Sequence, residues 1–158
     1  VSNQVVSTPI EFLQAVEARF GTISFDLAAN YENNVVRRLQ TIDGERSRNY
    51  YFGPGSLLHV NSFMKQWSGL GDLAWLNPPF EDIEPWAERC HLQCALHRQR
   101  IALQLPAAVC TNYFIENINP YAYVLEVTPR VYKTEVRDVC LAMFEPSGYK
   151  GREVWRWK

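Results

Sequence analysis

No stretch of the 158 residues stays apolar for the roughly 18 positions that a membrane-crossing helix needs, and no basic segment with an apolar run marks a secretory leader. The chain also lacks an excess of positive charge. Sixteen Lys and Arg stand against 17 Asp and Glu, for a formal net charge of −1. A broad, non-specific nucleic-acid footprint is therefore excluded, while a local basic face is not. The four cysteines, Cys90, Cys94, Cys110 and Cys140, show no framework spacing, which excludes a disulfide scaffold. They read as mostly buried small hydrophobes in a reducing, cytoplasmic setting. Internal repeats and low-complexity tracts are missing too.

What is present suits a folded protein: 47% of residues are apolar and 21% charged. The length fits one domain over residues 1–158. Aromatics make up 13%, with five Trp and eight Tyr, which is generous for so small a core and leaves rings for a binding surface.

Residues 1–7 read as a loose end. Thr8-Pro9 opens a helix, with Thr8 as cap, Pro9 in the first turn and Glu11 three residues after the cap. Phe12, Leu13, Val16 and Phe20 form its apolar face, and Gly21 stops it. Ile23 to Leu27 alternates as a short strand ending near Asp26. Residues 30–60 show no clear periodicity. Asp43-Gly44 and Gly53-Pro54-Gly55 are turns, and Arg37, Arg38, Arg46 and Arg48 stand beside Tyr50, Tyr51 and Phe52. Residues 31–60 are thus an irregular insert, either a solvated loop or a substrate-recognition region.

Asp72 to Leu76 is a second strand that runs into Asn77-Pro78-Pro79-Phe80, where two prolines must end the ladder. Pro85 to about Arg98 is a helix with Trp86, Ala87, Cys90 and Cys94 on its inner side. Ile101 to Leu105 is a third strand ending at Pro106, Tyr113 to Ile118 a short helix, and Tyr121 to Val127 and Val139 to Phe144 further strands. This alternation predicts an α/β fold with a mostly parallel, twisted sheet flanked by helices. Ligands in such sheets bind beyond the carboxyl ends of the strands, where Asp26, Asn77 and Pro106 fall.

Asn77 to Phe80 carries the strongest chemical signal. An exocyclic amine on a purine is a poor nucleophile, because its lone pair is delocalised into the ring. Two acceptors that draw its hydrogens out of plane restore that nucleophilicity. The Asn77 side-chain carbonyl is one, and the Pro78 backbone carbonyl is the other. The prolines hold both in place, and Phe80 offers a ring for a flipped-out base. The tetrapeptide therefore points to methylation of an NH2 group.

The chain further resembles the phage-encoded DNA adenine-N6 methyltransferase family, the Dam-like enzymes, over nearly its whole length. The resemblance runs in order through Thr8-Pro9, Phe12-Leu13, Phe20-Gly21 and Phe25-Asp26-Leu27-Ala28-Ala29 with Glu32-Asn33. It continues through Asn61-Ser62-Phe63 ahead of Trp67, Trp75 to Phe80, Pro85-Trp86, Leu105-Pro106-Ala107, Arg130 to Lys133 and Leu141 to Phe144. It implies a minimal Rossmann-like class I methyltransferase that uses S-adenosylmethionine and acts on adenine N6 in double-stranded DNA, by in-line displacement at the sulfonium methyl. Asn77, Pro78, Pro79 and Phe80 would hold the base. Thr8 and Pro9 would line the methionine end of the cofactor pocket, Asp26, Ala28, Ala29 and Asn30 would lie at the first strand's end, and Asn61 and Ser62 near the cofactor's adenine. A homodimer and a location in the host-cell cytoplasm fit the same picture.

Three departures from the family pattern stand out. No Gly-x-Gly loop follows the first strand, where Ala28-Ala29 stand instead. Asn30 and Asn61 occupy places where an acid would accept from the cofactor's hydroxyls or amine. Phe80 stands where Tyr is commoner.

The same loop chemistry also serves methylation of RNA bases or of protein glutamine, and a non-catalytic nucleic-acid-binding relative could keep the scaffold. Cys90, His91, Cys94 and His97 are explained by one inner helix face, so no metal is expected. Arg89, Arg98 and Arg100 suit a helix C-terminus or phosphate contacts. The alternation of Trp155, Arg156, Trp157 and Lys158 suits an edge strand or a nucleic-acid face.

Overall fold

The computed structural model describes residues 7–30, 32–43, 50–133 and 138–158. Its elements are α1 (Ile10–Phe20), β1 (Ile23–Asp26), α2 (Val35–Asp43), a 3-10 turn (Ser62–Met64), β2 (Leu73–Leu76), α3 (Ile83–His97), β3 (Ile101–Pro106), α4 (Asn112–Asn117), β4 (Tyr123–Thr128), β5 (Val139–Phe144) and β6 (Gly151–Arg156). The strands form a six-stranded sheet in the order β1-β2-β3-β5-β4-β6. The β1–β2, β2–β3 and β4–β6 pairings are parallel, and β5 runs antiparallel to both neighbours. Every strand but β5 therefore points the same way, so the carboxyl ends of β1, β2 and β3 gather along one edge.

Alternation along the strands sends side chains to two apolar layers, because the side-chain period of a strand is two. Leu73 and Trp75 of β2 join Phe12, Leu13 and Val16 of α1 and Val35, Val36 and Leu39 of α2 on one face. Ala74 and Leu76 join Ala87, Cys90 and Cys94 of α3 and Phe114 of α4 on the other. All four residues of β2 and all six of β3 are buried, as expected for a sheet covered on both sides.

The main departure from expectation lies within residues 30–60. Instead of irregular chain throughout, residues 35–43 form α2. Its β-branched composition hides a helical period, and its first turn is satisfied partly from elsewhere. The Val35 N–H donates to Asp26 Oδ2 at 3.0 Å and the Val36 N–H to Asn34 Oδ1 at 3.0 Å. Further on, Tyr51 pairs in parallel with Asp26, extending the sheet beyond β1. The turn at Gly53 forms as expected, with the Ser56 N–H donating to the Gly53 carbonyl at 3.0 Å. Gly44, Arg46 and Arg48 lie outside the described residues.

Two helix boundaries also differ from expectation. Pro9, and not Thr8, is the cap residue of α1, and no side-chain cap bond forms there. Helix α3 starts two residues before Pro85 and ends at Arg98 in the left-handed conformation, with φ 54°. The C-terminal segment is an edge strand, as one of the two readings had it. Trp155 is buried, its ring 5.9 Å from Phe12, and the Trp157 indole donates to the Pro129 carbonyl.

Candidate active site

A cleft of about 580 Å³ opens at the carboxyl ends of β1 and β2. Its walls are residues 27–30 after β1, residues 52–54 and 60–63, residues 77–80 after β2, and Asn33, Trp86, Tyr132 and Val139. Among the described lining residues none is an acid, a base or a thiol, and Tyr132 is the one titratable group. The lining is amide and aromatic: Asn30, Asn33, Asn61 and Asn77 with Phe52, Phe63, Phe80 and Trp86. Such a lining suits a flat, neutral heterocycle held by hydrogen bonds and stacking, and among the described residues it offers no charged general base.

On the β2 side the four expected residues all reach the cleft. Pro78 ends the strand because it has no N–H to donate to the ladder. It is buried, Asn77 and Phe80 are half-buried, and Pro79 is exposed. The Phe80 ring packs against both apolar layers, so its backbone is anchored from two sides. The Asn77 amide nitrogen donates to Thr8 Oγ1 at 3.3 Å, which leaves the amide oxygen for another donor.

On the β1 side Ala28, Ala29 and Asn30 line the cleft, whereas Asp26 sits beneath it, buried. The Asp26 carboxylate accepts from the Val35 and Ala28 N–H groups, at 3.0 and 3.2 Å. Burial pushes its pKa up to about 6, against the lowering influence of those two bonds and of the Arg38 charge. Asp26 thus ties the end of β1 to the start of α2. Residues 50–52 lie alongside, with the Asp26 N–H on the Tyr50 carbonyl, the Phe52 N–H on the Asp26 carbonyl and the Ala29 N–H on the Phe52 carbonyl. A Cβ on Gly53, whose φ is +143°, would lie 1.7 Å from the Ala29 carbonyl oxygen. The close backbone approach at this wall therefore uses a glycine some 24 residues downstream of Ala29, in place of the Gly-x-Gly loop that the sequence lacks.

The remaining expected residues divide. Ser62 and Asn61 line the cleft. The Ser62 hydroxyl oxygen is buried and has no hydrogen-bond partner among the described residues. The Asn61 side-chain oxygen caps the 3-10 turn through the Phe63 N–H at 3.0 Å. The Asn30 oxygen accepts from the Glu32 and Asn33 N–H groups, both at 2.9 Å. In each case the side-chain carbonyl is engaged locally. Thr8 and Pro9 do not form part of the wall, and Thr8 meets it through Asn77.

Phe52, Gly53, Val60, Phe63, Trp86 and Val139 join the wall without having been singled out as site residues. The aromatic followed by Gly-Pro-Gly at 52–55 was the available signal for the first two. Arg100 is engaged by Asp72 and Glu145, both at 2.9 Å, at the opposite ends of the strands. Cys90 and Cys94 are buried in the core, and burial pushes the Cys94 thiol up to about 11. His91 instead stacks on Tyr121, 3.9 Å between ring centres. No helix among the described residues is long and apolar enough to cross a membrane.

Comparison with known proteins adds a family. The profile of the family described as DNA N-6-adenine-methyltransferase (Dam) matches residues 2–132. A protein named DNA N-6-adenine-methyltransferase from Escherichia phage T1 is 27% identical over 110 residues, 70% of this chain. The matched region spans 39% of that relative's length.

Proposed function

The chain belongs to the DNA N-6-adenine-methyltransferase (Dam) family, and on that premise we propose that it methylates adenine N6 in double-stranded DNA, using S-adenosylmethionine. The observation that carries this reading is the rigid Asn77–Pro78 pair, set at a cleft that among the described residues offers no charged base. S-adenosylmethionine, when bound, supplies a methyl group on a sulfonium electrophile. The chain's own residues prepare the nucleophile. Asn77 Oδ1 and the Pro78 carbonyl accept the two amino hydrogens of a flipped adenine and turn its nitrogen lone pair out of conjugation. Phe80 stacks on the base, and the prolines keep the two oxygens from moving apart. Once nitrogen carries the methyl, its proton is acidic enough to leave through Asn77 Oδ1 to water, so no tuned base is needed.

Cofactor binding is supported by Ser62 and by the amide groups of Asn30 and Asn61, which line the same wall. Ala28 and Ala29 would face the cofactor from the end of β1. Asp26 would hold that strand end in shape, with Thr8 and Pro9 at the methionine end as the family likeness implies. The sheet order and the reversed β5 support a minimal Rossmann-like class I fold. A homodimer would let so small a domain span a recognition site.

Incubation with duplex DNA and methyl-labelled S-adenosylmethionine, followed by nucleoside mass spectrometry, tests the reading. We expect labelled N6-methyldeoxyadenosine. Label only in RNA or in a protein glutamine would overturn the DNA assignment, and no cofactor binding in calorimetry would overturn methyl transfer altogether.

A further inference from the structure

An amide side chain is nearly isosteric with its own flipped form. For Asn77 to serve as an acceptor, its oxygen and not its nitrogen must face the cleft; the flipped form would set an NH2 against an NH2. Something in the protein has to choose. Three buried side chains from separate parts of the chain converge behind Asn77: Thr8 before α1, Gln104 in β3 and Tyr132 after β4. Gln104 Nε2 donates to the Tyr132 hydroxyl, which lies 3.2 Å from Thr8 Oγ1, and Thr8 Oγ1 accepts from Asn77 Nδ2 at 3.3 Å.

The direction of this chain follows from burial. Gln104 is 0% exposed, and its Oε1 has no partner among the described residues. The reverse orientation would leave both Nε2 hydrogens unpartnered, against the carbonyl and one hydrogen as observed, and buried N–H groups go unpaired more rarely than carbonyls. With Gln104 donating, the Tyr132 oxygen is an acceptor and its proton turns to Thr8. The Thr8 oxygen, receiving that proton, presents its remaining lone pair to the Asn77 N–H.

We infer that Gln104, Tyr132 and Thr8 form a directional hydrogen-bond relay that locks the Asn77 amide with its oxygen toward the substrate, so that all three are positioning residues for methyl transfer. This rests on the methyl-transfer reading and gives Thr8 a duty different from the cofactor contact that the family likeness implies.

Thr8→Val keeps the shape and removes the hydroxyl, Thr8→Ser keeps the hydroxyl, and Tyr132→Phe keeps the ring. We expect kcat for DNA methylation to fall about tenfold in Thr8→Val and Tyr132→Phe, with the Kd for S-adenosylmethionine changed by less than about twofold, and Thr8→Ser close to wild type. Weakened cofactor binding with unchanged kcat in Thr8→Val would overturn the relay, as would equal loss of kcat in Thr8→Ser. Nuclear magnetic resonance of the wild-type protein provides a readout independent of activity and of variant folding. One Asn77 side-chain amide proton should exchange with solvent more slowly than those of exposed asparagines. Exchange as fast as theirs would overturn the relay even in an active enzyme. An inactive wild type with a protected Asn77 proton would instead sink the methyl-transfer reading and leave the relay standing.

Discussion

The wall of the cleft after β2 consists of consecutive residues, Asn77 to Phe80, two of them prolines, and most of its stiffness is local. The wall after β1, residues 27–30, contains no proline, and beyond the local turn closed by the Asn30 side chain it has little stiffening of its own. It is held from outside: by Asp26 beneath it, by α2 through the Val35 N–H, and by Phe52 and Gly53 pressed against Ala29. The first wall carries the chemistry proposed for the reaction, and the second shapes the space proposed for the cofactor. Damage to the first should therefore appear in rate alone, whereas damage to the second should appear in stability and binding together.

Asn77→Ala is the largest test of that contrast. It removes one of the two acceptors and the hydrogen bond to the buried Thr8 hydroxyl, so kcat should fall by about 10²–10³-fold while cofactor affinity stays near wild type and the melting temperature drops by no more than a few degrees. Single-turnover methylation, calorimetry and a thermal melt check it. A comparable loss of stability would erase the distinction between the walls.

Gly53→Ala strikes the other wall. At φ +143° a Cβ meets the Ala29 carbonyl oxygen at 1.7 Å, so the backbone of residues 27–30 or 52–54 must shift. Destabilisation of about 2–4 kcal/mol is expected, with weaker S-adenosylmethionine binding, measured by urea unfolding and calorimetry. Full stability in this variant would mean that residues 52–54 do not brace residues 27–30.

Asp26→Asn sharpens the comparison through pH. The folded-state pKa is raised to about 6 from 3.8, so the folded protein holds the Asp26 proton more tightly than the unfolded chain. The resulting stabilisation is complete below about pH 3.8, declines as pH rises and is gone above about 6. It amounts to on the order of 3 kcal/mol across that window. Subtracting the stability of Asp26→Asn from that of wild type at each pH should leave a curve that falls between pH 4 and 6. A flat difference curve would show that Asp26 is not the group that titrates there. Changes on the β2 wall should leave that curve unaltered.

Much of this was legible in the sequence. Strand β2 and the loop that ends it follow from an apolar run halted by Pro78, and α1 from the spacing of Phe12, Leu13 and Val16. The position of Asn77 at a strand's carboxyl end made it a site residue before any fold was known. Helix α2 was only partly legible: Asn34 as cap and Val35, Val36 and Leu39 on one face are local signals, but Val35 and Val36 also favour strands and the bond from the first N–H to Asp26, nine residues earlier, exists only in the fold. Likewise, nothing local distinguishes Gly53 from an ordinary turn glycine. Its meaning comes from Ala29, which is close only after folding. Thr8 read as a helix cap, and the fold gave its hydroxyl to Tyr132 and Asn77 instead.

Composition, strand and helix periods and the Asn77-Pro78-Pro79-Phe80 loop thus determined the α/β class and pointed to the chemistry proposed for one wall, since each depends on neighbours in the chain. Tertiary structure decided the opposite wall, the bond from Val35 to Asp26 and the hydrogen bond of the Asn77 amide to Thr8. Those rest on hydrogen bonds and close approaches between residues far apart in sequence. The free energy of such contacts exists only once the sheet has brought β1, β2 and β3 side by side.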